Sequence, residues 1–302
     1  MAWAIGVNVA LTLVQIVGGI VSGSLSLIAD ALHNFSDAAS LVIAAFARRI
    51  ARRPSDETMT FGYVRAEVVA ALINYTTLIV IGLYLVYEAV MRFINPEPIE
   101  GWIVVAVAAV ALAIDLITAL LTYSMSKGSM NIRAAFVHNV ADALGSVGVI
   151  VAGTLILLYD WQIVDPIVTL LIAAYILWQA FAEIGGSIRM LMLATPPEID
   201  VPRLIVRLSD VEGVVDIHHV HVFAIDERLT AMEAHVVIAE GQAGEEVKKR
   251  LKEIADTEFG IAHSTLELTA GKPCCAPGEA TAIGHRTGRL PDRDAVGHHN
   301  HG

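Results

Sequence analysis

The sequence contains one short motif twice, and each copy holds a histidine and an aspartate four residues apart. The first copy reads ADALHNFSDA, with His33 and Asp37, and the second reads AAFVHNVADA, with His138 and Asp142. Residues four apart lie on one face of a helix, with β-carbons about 5–6 Å apart. Two such pairs on facing helices would offer two imidazole nitrogens and two carboxylate oxygens, a set that suits one tetrahedral Zn²⁺ ion.

Both copies lie within apolar stretches, where a charged side chain costs at least about 2.5–3.5 kcal/mol. This cost favours metal binding over the alternative, in which each pair is a polar contact between helices. Two further carboxylates, Asp30 and Asp115, lie in the same stretches, and we assign them a supporting role. Asp30 is a candidate acceptor for the His33 imidazole, an accessory ligand or a pore-lining group. Asp115 is a candidate proton carrier or the partner of another helix.

Six apolar stretches must position these residues. Hydrophobic residues make up 55% of the 302-residue chain, whose mean hydropathy of +0.62 is too high for an ordinary soluble protein. A helix needs about 20 predominantly apolar residues to cross a bilayer. The first stretch lacks the basic region and cleavage site of a signal peptide, so we interpret it as a retained span. The pattern predicts an α-helical membrane protein with six transmembrane helices, near residues 2–21, 24–47, 67–90, 102–123, 134–158 and 166–188.

The charges of the loops predict the orientation of these helices. The segment after the second span is rich in arginine, at Arg48, Arg49, Arg52, Arg53 and Arg65. By the positive-inside rule this segment and both termini are cytoplasmic. The compact loops suggest a bacterial inner membrane. A net charge of −11, with no basic aromatic patch, argues against a nucleic-acid partner.

The composition becomes polar after Thr195. Helix-patterned and strand-patterned segments follow in the order α-β-β-α-β as far as Ala270, which predicts a cytoplasmic α+β domain with a small antiparallel sheet, of ferredoxin-like or metallochaperone-like type. The tail from Gly271 contains histidines and the adjacent Cys274 and Cys275, lacks periodicity and is predicted to be disordered. The predicted domains are residues 1–194, 195–270 and 271–302.

The polar domain is rich in histidine, at His218, His219, His221, His235 and His263. In a regular strand, His219 and His221 would share one face and His218 would point to the other. Histidines clustered at strand spacing suit Zn²⁺, so we expect a regulatory metal site there. Partly buried polar residues without a metal are the alternative.

Longer motifs accompany the two histidine–aspartate pairs. The apolar part contains SLSLIADALHNFSD, FGYVRAEVVAALIN, HNVADALGSVGV and DPIVTLLIA, and the polar part contains HHVHVF, EAHVVI and IAHSTLEL. Together they resemble the cation diffusion facilitator family of metal–proton antiporters, over nearly the whole chain up to about Ala270. The resemblance implies a homodimer in the lipid bilayer whose protomers alternate between inward-facing and outward-facing states.

The resemblance also implies what is carried and where it binds. Divalent metal, most often zinc and sometimes cadmium or cobalt, would leave the cytoplasm in exchange for protons through His33, Asp37, His138 and Asp142. Independently of the family, metal and protons compete for these atoms, because a histidine must be neutral and an aspartate ionised to bind a metal. The order of preference among divalent metals stays open, since raw affinity follows the Irving–Williams order.

Two cytoplasmic sites follow from the same resemblance. Histidines matching His218, His235 and His263 would bind metal near the dimer interface, with His221 as a further candidate, although Thr265 stands where some members have an acidic ligand. In the loop after the second span, Asp56 is present but Met59 and Tyr63 stand where some members have histidines, so we expect no metal there. We expect Arg65 and Glu67 to make charge contacts near a hinge.

Three other functions were weighed. Hydrolase and ATP-binding motifs are absent from the sequence, which argues against an enzyme. A transporter of a non-metal solute could use the pairs as proton relays, but a relay does not need two matched tetrahedral half-sites. A membrane sensor or scaffold that binds zinc without moving it is the alternative that stays open.

Overall fold

The computed structural model describes residues 2–125, 130–226, 228–271 and 281–284. These residues form two compact units. The first holds residues up to Pro54 together with Ala66–Ser187, and the second holds Ser55–Arg65 and the described residues from Ile188 onwards. The loop after the second helix therefore belongs to the same unit as the polar part of the chain.

The first unit consists of six helices, whose ends lie within a few residues of the predicted spans. Four of them are long and apolar enough to cross a membrane: Ala66–Ile94, Gly101–Leu120, Phe136–Tyr159 and Val164–Leu191. The helices are α1 (Ala2–Ser22), α2 (Leu25–Ala51), α3 (Ala66–Ile94), α4 (Gly101–Met125), α5 (Met130–Tyr159) and α6 (Val164–Leu191).

Two apolar clusters hold α2 between its neighbours. On one side Leu25 and Ala29 pack with residues of α3 and α6, including Leu85 and Ile176. On another side Leu27 packs with residues of α4 and α5 that include Val104 and Val149. The helices approach closely at small residues, as membrane helices commonly do. At Gly82, for example, an added β-carbon would lie 2.7 Å from Leu177 of α6.

The second unit contains α7 (Val201–Ser209), β1 (Val214–Ala224), β2 (Thr230–Ile238), α8 (Gly244–Phe259) and β3 (His263–Ala270), which is the predicted α-β-β-α-β order. Both helices pack on one core with the sheet, through Leu204, Leu208, Leu251 and Ala255. The prediction of an antiparallel sheet was wrong. The strand order is β1-β2-β3, with β1 antiparallel to β2 but β3 parallel to it. A parallel neighbour requires a long crossover, and α8 supplies it.

Strand β1 is irregular where its histidines lie. Its pairing with β2 shifts register between His218 and His221, and His219 has a positive φ of 60°. The prediction that His218 and His219 point to opposite faces was therefore wrong, because a bulge interrupts the alternation of side chains. The outer edge of β1 accepts a short segment of the tail: the His219 amide donates to Thr281, and Val220 pairs with Ile283.

The predicted disorder of the tail does not hold for residues 281–284, which lie against β1. The rest of the tail, including Cys274 and Cys275, lies outside the described residues. Arg65 also differs from its prediction: it donates to the carbonyls of Ala224 and Ile225 at 3.1 and 3.2 Å. Glu67 instead pairs with Arg48 at 3.6 Å, within the first unit.

Candidate metal centre

Helices α2 and α5 bring the four predicted side chains together. Nε2 of His138 lies 3.1 Å from Oδ2 of Asp37 and 3.5 Å from Oδ2 of Asp142. Nε2 of His33 lies 3.3 Å from Oδ1 of Asp142 and 3.8 Å from Oδ2 of Asp37. Each histidine therefore touches the carboxylates of both helices, as expected for two antiparallel copies of one motif.

These separations suit a tetrahedral ion. Four ligands at about 2.1 Å from a central Zn²⁺ stand about 3.4 Å from one another. The four nitrogen–oxygen distances range from 3.1 to 3.8 Å. The group of ligand atoms that all lie within 4.8 Å of one another contains His33, Asp37 and Asp142 but not His138, which joins the others through its contacts with the two carboxylates. Asp142 turns one oxygen to each histidine, so it could serve the ion through either oxygen.

His33, Asp37, His138 and Asp142 are called the quartet below. Two of its members, His33 and Asp142, are buried and incompletely hydrogen-bonded. The side chains of His33 and Asp142 are 7% and 9% exposed, against 32% and 29% for His138 and Asp37. Among described residues, neither nitrogen of His33 nor Oδ1 of Asp142 has a hydrogen-bond partner. Buried polar atoms are normally paired, so unpaired ones that converge on a point need an explanation. A bound cation would satisfy them.

Two residues that the sequence did not single out support the α2 half of the quartet. Tyr175 of α6 packs its ring edge-on against His33, with centroids 5.9 Å apart. Asp165 is fully buried at the start of α6 and caps α2: it accepts from the hydroxyls of Ser24 and Ser26, at 2.6 Å each, and from the Leu25 amide at 2.8 Å. Ser24, immediately before α2, is a capping residue that the sequence makes visible, whereas its contact with Asp165 depends on packing.

Asp30 does not orient His33 as predicted. Its Oδ2 accepts a 2.6 Å hydrogen bond from Gln15 of α1 and lies 3.4 Å from the Ser146 hydroxyl of α5. Asp30 faces α1 and α5 and therefore does not reach the imidazole of His33. Nδ1 of His33 has no hydrogen-bond partner among described residues. Asp115 of α4 joins the same group, since Ser146 also lies 3.1 Å from its Oδ2.

The histidines of the second unit form a different cluster from the predicted one. His218 and His235 are direct partners across β1 and β2, with ring centroids 5.5 Å apart, and the bulge brings His219 to 4.9 Å from His235. Nδ1 of His218 lies 2.9 Å from Asp216, and Nε2 of His235 lies 3.4 Å from Glu267. His221 lies beside His219, with centroids 5.8 Å apart.

His263 is not part of this cluster within one chain. The parallel register places His263 opposite Ala231, whereas His235 is opposite Glu267. Four residues of strand separate the two positions, about 13 Å at the usual rise. Within one chain, His263 therefore does not lie beside His218 and His235. The acidic neighbour of His235 is Glu267, which the sequence analysis missed because it expected an antiparallel β3.

In the loop, Asp56 organises its neighbours. The carboxylate accepts from the Tyr63 hydroxyl at 2.7 Å, from the Thr58 hydroxyl at 2.7 Å and from the Met59 amide at 2.9 Å. These hydrogen bonds, the one from Tyr63 first, lower the pKa of Asp56 well below its ordinary range. The acceptor is thus occupied by the loop itself.

Known proteins resemble this chain over most of its length. Residues 1–192 match the family model of the cation efflux transmembrane domain. A cadmium, cobalt and zinc/H⁺-K⁺ antiporter of Bacillus subtilis (strain 168) is 34% identical over 85% of this chain and 84% of its own. The zinc transporter ZitB of Escherichia coli (strain K12) is 33% identical over 92% of this chain and 88% of its own.

The metal cation efflux system protein CzcD of Cupriavidus metallidurans is 33% identical over 86% of this chain and 82% of its own. Among solved structures, the metal-bound C-terminal domain of the CzcD transporter is 25% identical and covers 24% of this chain and 99% of that domain, with a TM-score of 0.23, too low to add to the identification. The family model and the relatives each cover most of the chain, and its apolar helices make it a multi-pass membrane protein. The chain belongs to the cation efflux family, the cation diffusion facilitators that its motifs resemble.

Proposed function

We propose that the protein exports Zn²⁺, or a related ion such as Cd²⁺ or Co²⁺, from the cytoplasm in exchange for protons. The ion would bind His33, Asp37, His138 and Asp142. The observation that carries this proposal is the convergence of four nitrogen–oxygen contacts of 3.1–3.8 Å between α2 and α5. The names of two relatives, a cadmium, cobalt and zinc/H⁺-K⁺ antiporter and a zinc transporter, support the cargo and the exchange.

The ligand atoms themselves supply a reason for the exchange. Nε2 of His138 lies 3.1 Å from a carboxylate oxygen of Asp37. An ionised carboxylate can only accept, so a hydrogen bond between these atoms requires a proton on Nε2. A metal ion needs the lone pair of the same nitrogen. Binding the ion therefore displaces the proton, and protonation from the other side of the membrane would release the ion.

The exposure of the quartet supports loading from the cytoplasm. Asp37 and His138 are about a third exposed. Asp37 lies one turn nearer than His33 to the C-terminal end of α2, and His138 lies one turn nearer than Asp142 to the N-terminal end of α5. That end of α2 carries Arg48 and Arg49, which the positive-inside rule places in the cytoplasm. His33 and Asp142, toward the other side, are almost closed. We infer an inward-facing state.

The remaining expectations extend this proposal. The protein would act as a homodimer in a bacterial inner membrane, with both termini cytoplasmic, and would break no covalent bond. Its domains would be a transmembrane part, residues 1–194, and a cytoplasmic part, residues 195–270. The cytoplasmic part would bind a regulatory metal ion through His218 and His235, with Glu267 beside them. Nδ1 of His218 lies 2.9 Å from Asp216, so Nε2 is the nitrogen that we propose as the ligand atom.

The test is Zn²⁺ flux into proteoliposomes under an imposed proton gradient. Asp37→Asn keeps the size of the side chain, His138→Asn shortens it but keeps it polar, and each removes a ligand, so we expect flux at least about 100-fold slower. Asp160→Asn is the matched control, because Asp160 is an exposed loop residue with a φ of 55°, a conformation that asparagine also tolerates. Zinc binding without flux would indicate a sensor. The absence of both zinc binding and flux would exclude a metal function.

A further inference from the structure

A hydrogen-bonded chain of polar side chains crosses the first unit beside the quartet. The Asn34 amide donates to Oε1 of Gln15 at 3.2 Å, and the Gln15 amide donates to Asp30 at 2.6 Å. Ser146 then lies between Asp30 and Asp115, at 3.4 and 3.1 Å from one oxygen of each. The chain links four helices, α1, α2, α4 and α5, and ends at a carboxyl on α4.

This line of hydrogen bonds needs one hydrogen more than its side chains carry when both carboxyl groups are ionised. Gln15 has its carbonyl and its amide engaged, so Asp30 is an acceptor from Gln15. The Ser146 hydroxyl has one hydrogen and can donate it well to only one carboxylate. The contact with the second carboxyl is favourable only when that carboxyl carries a proton and donates it to the serine oxygen. The arrangement therefore suits two carboxyl groups with one shared proton.

The surroundings of the pair favour the same count. Asp30 and Asp115 are 3% and 9% exposed. Among the ion pairs of described residues, none joins either carboxyl to a lysine or arginine. The titratable groups that act on the pair are His33 of α2 and Asp142 of α5, with His138 of α5 acting on Asp115 as well. Two like charges bridged by one hydroxyl in such a place repel each other, and a shared proton removes the repulsion.

We propose that Asp30 and Asp115 hold one exchangeable proton between them through the Ser146 hydroxyl, as a second proton site beside the metal quartet. When Asp115 is protonated, it donates to Ser146 and Ser146 donates to Asp30. If each proton moves one step along this line, Asp30 becomes the acid and Asp115 the carboxylate. No hydrogen is gained or lost in the transfer, and no side chain has to leave its place.

The second site couples to the first through charge. Asp30 is three residues before His33 on α2, and Ser146 is four residues after Asp142 on α5, so the pair lies one turn from the quartet on both helices. A divalent cation bound in the quartet would repel the shared proton and favour its release. This step rests on the proposed function, and it adds one proton to those that the metal ligands themselves exchange.

Infrared difference spectroscopy of the purified full-length protein tests whether the proton is there, without any transport. We expect the carbonyl band of a buried protonated carboxyl at neutral pH, lost in Asp115→Asn and unchanged in the Asp160→Asn control. A spectrum without such a band, or a band that Asp115→Asn leaves intact, would overturn the proposal. If Asp115→Asn fails to fold, Ser146→Ala decides: loss of the bridge must shift the band, and an unshifted band excludes sharing through the serine.

Calorimetric Zn²⁺ titration in buffers of different ionisation enthalpy tests whether the proton is exchanged. Asp115→Asn should release about one proton fewer per bound ion than the native protein. Equal proton release would show that the pair holds no exchangeable proton, even if flux is intact. Conversely, the native protein could show the carbonyl band, and Asp115→Asn its loss, while the native protein carries no Zn²⁺ flux. That outcome would contradict the proposed export and leave the shared proton in place.

Discussion

The two histidine clusters of this protein use the same donor types but are built in different ways. In the quartet, each histidine and its aspartate lie four residues apart on one helix, and the two helices repeat the motif in opposite directions. In the second unit, His218 and His235 meet through strand pairing, and His219 joins them only because β1 has a bulge. The first arrangement follows from local periodicity and the second from register.

The clusters also differ in their surroundings. His33 and Asp142 are shielded within the helices. In the second unit His218 and His219 are buried as well, at 3% and 8% exposed, but their acidic neighbours Asp216 and Glu267 are 55% and 59% exposed. Water can replace a lost carboxylate at an exposed position more easily than at a buried one, where an unpaired polar group is costly. We therefore expect the quartet to depend on each carboxylate and the histidine cluster of the second unit to tolerate the loss of an acidic neighbour.

The sharpest test of this difference removes one carboxylate from each cluster. Asp142→Asn should weaken Zn²⁺ binding at the quartet at least about 100-fold, because a buried ionised ligand is lost. Glu267→Gln should change binding at the histidine cluster of the second unit by a few-fold at most, since Glu267 is exposed and lies at 3.4 Å from His235. Equilibrium dialysis of Zn²⁺ on the two variants measures both effects, and equal losses would erase the distinction.

The support of the quartet should matter nearly as much as its ligands. Asp165→Ala leaves Ser24, Ser26 and the first amides of α2 without their buried acceptor, which should lower the free energy of unfolding by about 3 kcal/mol or more. Unfolding of the detergent-solubilised protein by heat or denaturant measures the loss. Asp160→Asn, on an exposed loop, is the control and should leave stability unchanged, and a stable Asp165→Ala variant would refute the cap.

The register of the sheet can be tested on the histidine cluster of the second unit, which contains His218, His219 and His235. His235→Ala should weaken Zn²⁺ binding there about tenfold and leave the quartet intact. His263→Ala is the matched variant, because His263 is an exposed histidine on the neighbouring strand, opposite Ala231. It should bind like the native protein. A loss as large as that of His235→Ala would mean that His263 reaches the cluster, as it could from a second copy of the chain.

The smallest effect concerns the loop Ser55–Arg65, which belongs to the second unit. Hydrogen bonds from Tyr63 and Thr58 lower the pKa of Asp56 below its ordinary value of 3.8. A lowered pKa means that the carboxylate stabilises the loop at pH values above 3.8 and that this contribution disappears as the pH falls through the lowered value. Amide exchange of residues 55–65 should therefore be faster in Asp56→Asn than in the native protein at neutral pH. The difference should shrink in acid, and a constant difference would contradict the assignment.

Much of the molecule could be predicted from the sequence, for identifiable reasons. Apolar length located the six helices to within a few residues, and four of them are long and apolar enough to cross a membrane. The repeated H-N-x-x-D motif predicted four side chains that the structure brings together, because residues four apart lie on one helix face. The alternation of strands and helices after Thr195 predicted the order of elements in the second unit.

Tertiary structure decided the contacts that depend on which elements become neighbours. The crossover through α8 made β3 parallel and exchanged Glu267 for His263 beside His235, and the bulge at His219 reversed its predicted face. The packing of α1, α4 and α5 around α2 turned Asp30 away from His33 and toward Ser146. Local patterns record which face of its own element a residue occupies. They do not record which neighbour that face will meet, since that is settled by packing between segments far apart in the chain.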